Sequence, residues 1–316
     1  MGGFIVKKYL IALVAAFAVT SVASAVDFNQ RAYECVTTHE VFASILHRVV
    51  RGRKETEKYP RASYNPTSFS VGYVHRRDSW HAGLAFNYEG GKRKLNYRGV
   101  SGYKVDTGIP GFSLFAGTTT PNGIYVNAHT FFGFASYKAK NGWNGANQFG
   151  TGNKIHKTLF ALGVEAGKIY DIGFCGLLAT PHIGLDYAYA PSERYNWNGA
   201  VWDSIKSQSY FEIPLGVSLS KPLYASGGWV ITPKIDATLI TSLGKMDPYN
   251  AHPGFAFRTA DQWKVQGISA GRVGGRISAG VDASIGERLK VGVGYAFEGR
   301  NRYRDHRLTA NLALAF

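Results

Sequence analysis

The chain stops on "RLTANLALAF", Arg307 to Phe316, with apolar and polar residues alternating up to the final aromatic ring. A period of two marks a strand with two unlike faces. A strand that runs to the end of a chain must be paired on both sides or leave an open edge. The same period fills the segments just before it. Between Val273 and Ile285, the residues Val273, Ile277, Ala279, Val281, Ala283 and Ile285 occupy odd positions against Gly274, Arg276, Ser278, Gly280, Asp282 and Ser284. Leu289, Val291, Val293, Tyr295 and Phe297 then oppose Lys290, Gly292, Gly294, Ala296 and Glu298. In the last segment Leu308, Ala310, Leu312, Leu314 and Phe316 oppose Thr309, Asn311, Ala313 and Ala315.

Alternation by itself also suits a soluble sandwich. The polar face separates the two. In a sandwich it meets bulk water and is rich in charge and Thr. Here it mixes Gly, Ala and Ser with single charges, as a crowded interior requires, while the opposite face carries bulky aliphatics and aromatics, as a lipid-facing wall requires. The 19 Tyr, 19 Phe and 38 Gly suit strands, turns and aromatic girdles. After residue 25 no run reaches the roughly 18 apolar residues of a membrane helix, so a bilayer is crossed by strands or not at all.

Twelve strands are expected, near 41–53, 67–77, 80–93, 104–118, 123–138, 155–170, 173–190, 207–221, 228–243, 270–285, 288–299 and 305–316. His47 interrupts the apolar face of the first; Pro110 trims the fourth or places a bulge in it. Tight turns are expected near Asp78, at Pro121-Asn122-Gly123, at Asp171-Ile172-Gly173, near Ser226-Gly227-Gly228 and at Gly286-Glu287-Arg288. The alternate connections, 54–66, 94–103, 139–154, 191–206 and 244–269, are longer, and 300–304 is the short exception. Short turns at one end and long loops at the other describe an all-β, twelve-stranded antiparallel transmembrane β-barrel of the bacterial outer membrane. An even strand number puts both ends of the barrel chain on the periplasmic, short-turn side. The terminal strand then has its reason: it closes the barrel on the first strand.

At the other end, Lys7 and Lys8 precede an apolar run from Tyr9 into Val22, followed by Ala23-Ser24-Ala25. A basic start, a short hydrophobic run and an A-x-A site read as a secretory signal peptide over residues 1–25. Residues 26–40 form a short N-terminal segment before the barrel at 41–316. The net charge of +15 points to an anionic partner. With export and no basic helix or zinc spacing, that partner is outer-membrane lipid and lipopolysaccharide, not nucleic acid. Cys35 and Cys175 are the two cysteines, and export permits a disulfide. A bridge between them requires the N-terminal segment to cross the barrel mouth and Cys175 to leave its lipid-facing parity.

These residues resemble the translocator domain of bacterial autotransporters. The resemblance runs from about residue 41. It rests on "LGVEAGKIYDIGFCGLLATPHIGLDYAYA" at 162–190, with Glu165, Ala166, Gly167, Pro181 and Tyr187, and on the last 47 residues, with Gly271, Arg272, Gly294, Tyr295, Asp305, His306 and Phe316. It implies twelve strands around a narrow pore with a helix running through the lumen. It also implies that barrel-assembly machinery reads the last strand, with Leu312, Leu314 and Phe316 as the signal. A typical member carries a long passenger before the barrel; only Val26 to about Glu40 stands there in this sequence, so a passenger-less, monomeric member is expected.

Parity turns Glu165, Asp186, Glu212, Lys234, Asp236, Arg276, Asp282, Lys290 and Glu298 inward as a lumen lining, with His81, His129 and His182. Two readings stand: a selective or gating pore lining, and a structural network that holds the barrel open. The loop sequences "RGRKETEKYPR", "NGWNGANQFGTGN", "RYNWNGAVW" and "RNRYRDHR" offer bases, Trp and Asn for lipopolysaccharide phosphates or sugars, or are ordinary solvated loops. Asp305-His306 suggests a hydrolase site, but neighbours on a strand point to opposite faces and do not converge. No serine-nucleophile motif and no metal-ligand spacing is present, so no catalytic residue, cofactor or metal is expected. The expected function is a narrow, porin-like pore or a surface-exposed structural barrel; the alternatives are a plugged adhesin or ligand-binding barrel and an outer-membrane hydrolase.

Overall fold

The computed structural model describes residues 37–52, 61–97, 100–140, 154–173, 176–197, 201–205, 207–245, 249–251, 264–266, 271–286, 288–301 and 303–316. Twelve long strands dominate it: β1 (Thr38–Gly52), β2 (Arg61–Arg77), β3 (Trp80–Tyr97), β4 (Val100–Thr119), β5 (Ile124–Lys140), β6 (Lys154–Lys168), β7 (Leu178–Ala190), β8 (Gln208–Ser220), β9 (Trp229–Lys245), β10 (Val273–Ile285), β11 (Leu289–Arg300) and β12 (Tyr303–Ala315). Each pairs antiparallel with its sequence neighbours, and β12 pairs with β1, so the sheet closes on itself. The closing register runs from Glu40↔Ala315 to Gly52↔Tyr303. Past it, His39 and Phe316 exchange backbone hydrogen bonds of 3.1 and 2.8 Å, so the ladder continues to the last residue.

The period of two sorts the side chains. Val281, Val293, Leu308, Leu312 and Leu314 point outward and exposed, with Phe69, Phe112 and Phe134 elsewhere on the wall. Their partners in alternation point inward. Inside, bulky rings lie against glycines of the facing strands. A Cβ on Gly72 would stand 2.4 Å from Phe42 Cζ and 2.5 Å from the Leu84 carbonyl oxygen, so that site accepts hydrogen alone.

The expected strand order holds, with four local differences. β1 is a full strand: His47 merely sits on its outer face, bonded to Thr67 at 3.0 Å. β4 runs through Pro110 without a register shift; only the Ile109 and Pro110 pairs towards β5 are missing, as a residue without an N–H dictates. β7 begins at Leu178 instead of 173, because Gly173 and Gly176 hold φ of 71° and 69°, which bends the chain. The basic stretch "RNRYRDHR" is not a loop: β11 reaches Arg300 and β12 starts at Tyr303. Two short hairpins, Glu193–Trp197 with Val201–Ile205 and Tyr249–Ala251 with Lys264–Gln266, stand in the long connections. Most of "RGRKETEKYPR", all of "NGWNGANQFGTGN", Cys35, Cys175, the leader and residues 26–36 lie outside the described residues.

The two faces differ in what they tolerate. Ile277→Arg, on the outer wall, is expected to destabilise the barrel by about 2–4 kcal/mol, the mid-membrane figure for a lipid-facing base. Asp282→Leu, inside and part-exposed, should cost about 1 kcal/mol or less. Urea-titrated refolding into liposomes compares them, and equal losses would contradict the assignment of faces.

Candidate functional site

The lumen is the concave, polar part of the molecule. Its two ends differ. At the loop end, inward side chains from six strands are joined in one ion network. Glu298 on β11 has no exposed surface and accepts from three guanidiniums: Arg307 Nη2 at 2.6 Å, Arg300 Nε at 2.7 Å and Arg276 Nη2 at 3.1 Å. Arg300 continues to Glu212 on β8 at 2.7 Å, and both meet Ser242 Oγ on β9. On the other side, Arg307 Nε donates to Asp305 Oδ2 at 2.8 Å. Asp305 then takes Arg48 of β1 through Nε at 3.4 Å and through a closer Nη2–Oδ2 contact. Four guanidiniums thus share three carboxylates from β8 round to β1, across the closing seam.

The chemistry explains the clustering. Inward positions on neighbouring strands stand about 5 Å apart, within reach of several arginine forks. A buried carboxylate is tolerated only with such multiple donors, because removing it from water costs several kcal/mol. Arginine suits the role, since it stays charged and offers donors in a fixed plane.

On β7–β12 the turn end is looser. Lys234 and Asp282 pair at 2.8 Å, each more than a quarter exposed. Glu40 on β1 lies 3.5 Å from Arg76 and 3.6 Å from Lys290. His182 stands 3.5 Å from Asp236, which also accepts from Ser218 at 2.8 Å and Thr238 at 2.6 Å. His129 stands 3.7 Å from Asp186, and Tyr125 donates to Glu165 at 3.0 Å. His81 is buried. A further buried group, Tyr64 and Ser68 on Glu89 at 2.8 and 3.0 Å, occupies the β2–β3 wall.

The nine residues singled out by parity therefore divide. Glu212, Glu298 and Arg276 belong to the loop-end network, with Asp186 directly opposite Glu212 in the register; Lys234, Asp236, Asp282 and Lys290 lie nearer the turns, and Glu165 accepts from Tyr125. The strongest members, Arg48, Arg300, Asp305 and Arg307, escaped that reading. Arg300 and Arg307 lie in a stretch with the composition of a loop, and Arg48 on a strand whose apolar face His47 interrupts. The signal was present: Glu298-Arg300 and Asp305-Arg307 are i, i+2 pairs on one face. Asp305 points inward and His306 outward, where it meets Tyr295 Oη at 2.7 Å, so the two form no joint site. Leu312, Leu314 and Phe316 all point outward, and the Phe316 ring stacks on His39 at 6.0 Å. Among the described residues no group of three or more His, Cys, Asp or Glu is placed to hold a metal.

Comparison with known proteins gives the same architecture a family. The Autotransporter beta-domain family matches residues 41–296. The translocator domain of the autotransporter NalP from Neisseria meningitidis superposes with a TM-score of 0.66 at 14% identity, covering 98% of this chain and 99% of that one. The transport unit of the autotransporter AIDA-I from Escherichia coli gives 0.67 at 13% identity, covering 97% of each chain. The beta domain of the Bordetella autotransporter Brka gives 0.65 at 13%, covering 88% of this chain and all of that one. At these identities the likeness is one of fold. No curated protein matches the chain.

Removing Glu298 leaves three arginines facing one another. Glu298→Ala is expected to cost about 3–5 kcal/mol, the figure for breaking a buried pair from one side. Adding Arg276→Ala to it should recover part of that loss. Unfolding midpoints in urea test this; a double variant that loses the full sum would show two independent contacts instead of a network.

Proposed function

Because this chain belongs to the autotransporter β-domain family and sits in the outer membrane of Gram-negative bacteria, we propose that it is a surface-exposed structural barrel whose narrow lumen is shut at its loop end. The single observation that carries this reading is the ion network from β8 to β1, with Glu298, Arg300, Asp305 and Arg307 all buried. In outer-membrane barrels the loop end faces outward and the turn end faces the periplasm. The lumen lining, Glu165, Asp186, Glu212, Lys234, Asp236, Arg276, Asp282, Lys290 and Glu298, then has two parts. The outer part holds the wall together and excludes ions; the inner part is a mixed-charge vestibule open to the periplasm. Thr38 starts β1 at that inner mouth, so the chain that follows a signal peptide at 1–25 joins the barrel on the vestibule side. The barrel works without cofactor or catalytic residue. Reading by the assembly machinery falls to Leu312, Leu314 and Phe316, which present one outward apolar row on the closing strand.

Single-channel recording of the refolded protein tests the closure. The wild type is expected to be silent or nearly so, and the Glu298→Ala/Arg300→Ala pair should conduct steadily. A steady open current through the wild type would overturn the closed barrel in favour of a pore.

Deleting Phe316 removes both backbone bonds to His39 and the terminal ring. Outer-membrane levels, read by heat-modifiable migration on gels of cell envelopes, should fall severalfold. Unchanged levels would dismiss the terminal signal.

A further inference from the structure

The outer wall is not uniform. β2 to β5 are 17, 18, 20 and 17 residues long, whereas β7, β8, β10, β11 and β12 are 13, 13, 13, 12 and 13. On the tall side a belt of outward aromatics, Phe86, Tyr88, Phe112, Phe132 and Phe134, marks the apolar band. Phe86 and Phe112 meet edge-on at 5.5 Å, and Phe132 and Phe134 at 4.9 Å. Four residues above Tyr88 and Phe134, about 13 Å along a strand, the outward positions turn basic.

Lys92 and Lys94 on β3, Lys104 on β4 and Lys138 on β5 are all exposed there. Lys94 stands directly opposite Lys104 in the register, and Lys138 and Lys92 both flank Asp106. Asp106 offsets Lys92 and Lys138, but like charges directly opposed across a ladder repel, so the Lys94–Lys104 end of the row is unfavourable on its own. It becomes favourable when an anion with more than one charge lies along it. Along the register the basic row runs on from Lys94 through Ser63 on β2 to Arg51 on β1 and Arg304 on β12, both exposed.

We infer that Lys94, Lys104 and Lys138, with Lys92, form a docking site for a phosphorylated lipid of the outer leaflet, a bisphosphorylated sugar headgroup whose acyl chains lie on the aromatic belt below. The two parts match in order and spacing: apolar rings at hydrocarbon depth, then ammonium groups at headgroup height. Long lysine stems reach a headgroup from a strand without bending it. The inference uses the outer-membrane placement of the barrel and is independent of whether the lumen conducts, so a conducting wild type leaves it standing.

The test uses the purified full chain in detergent, with lipid A as the probe, read by native mass spectrometry and by thermal shift. Wild type is expected to retain bisphosphorylated lipid A, and Lys94→Gln/Lys104→Gln/Lys138→Gln to bind it roughly a hundredfold more weakly, at about fivefold per lysine. Should the triple variant fail to fold, Lys104→Gln alone should show the single fivefold step. Lys168→Gln, at the turn end, should bind as wild type does. Raising the salt should weaken the wild type and barely touch the triple variant. Equal binding by the triple variant, or by lipid A stripped of its phosphates, would overturn the site. Displacement of the lipid by inorganic phosphate at equal concentration would reduce it to a free-anion site and overturn the lipid assignment.

Discussion

In hydrocarbon, a backbone N–H or C=O without a partner costs several kcal/mol, and no water is present to supply one. Closure of the sheet is the single answer open to strands. Here it is met between β1 and β12, paired from Glu40↔Ala315 to Gly52↔Tyr303 and sealed by His39 and Phe316. The seam joins residues far apart in sequence. It is also crossed by a buried ion pair, from Arg48 on one strand to Asp305 on the other, whose carboxylate takes Arg307 as well. Backbone closure and side-chain closure therefore fall on the same joint, and each makes the other stronger.

Closure inverts the usual distribution of polarity. The apolar surface faces lipid, and the interior must be polar without being empty. Two devices fill it. Rings lie flat where the facing residue is glycine, as Phe42 does over Gly72. Charges are matched in clusters, as on Glu298. Neither device supplies the hydrophobic core of a soluble domain; the lumen is held by shape and by satisfied charge.

The fold was legible because the period of two is strict and the turn residues are distinctive. Gly123, Gly173, Gly227 and Gly286 all hold positive φ, and Asp78 is the sole such non-glycine among the described residues. Side-chain parity was legible along unbroken strands, as at Arg276, Asp282 and Lys290, which pair with Glu298, Lys234 and Glu40. It failed where polarity overrode periodicity. A stretch such as "RNRYRDHR" has the composition of a loop, and composition says nothing about which side of a wall a base faces. Only the enclosure of Arg300 and Arg307 against Glu298 and Asp305 shows that these charges are an interior. The lysines of β3–β5 escaped for a different reason: they are ordinary singly, and only the cross-strand register that sets Lys94 against Lys104 makes them a row.

The two halves of the lumen follow from the same electrostatics applied at different hydration. Near the turns Lys234 and Asp282 keep contact with water, so that pair is cheap to open and close again. Near the loops Glu298 and Asp305 are each shared among arginines with no surface left to water, and opening any one contact strands several charges at once. A solute or peptide segment entering from the turn side therefore meets adaptable charges first and a cooperative barrier after them. In the proposed closed barrel, that gradient, loose inside and tight outside, hydrates the vestibule and seals the outer end.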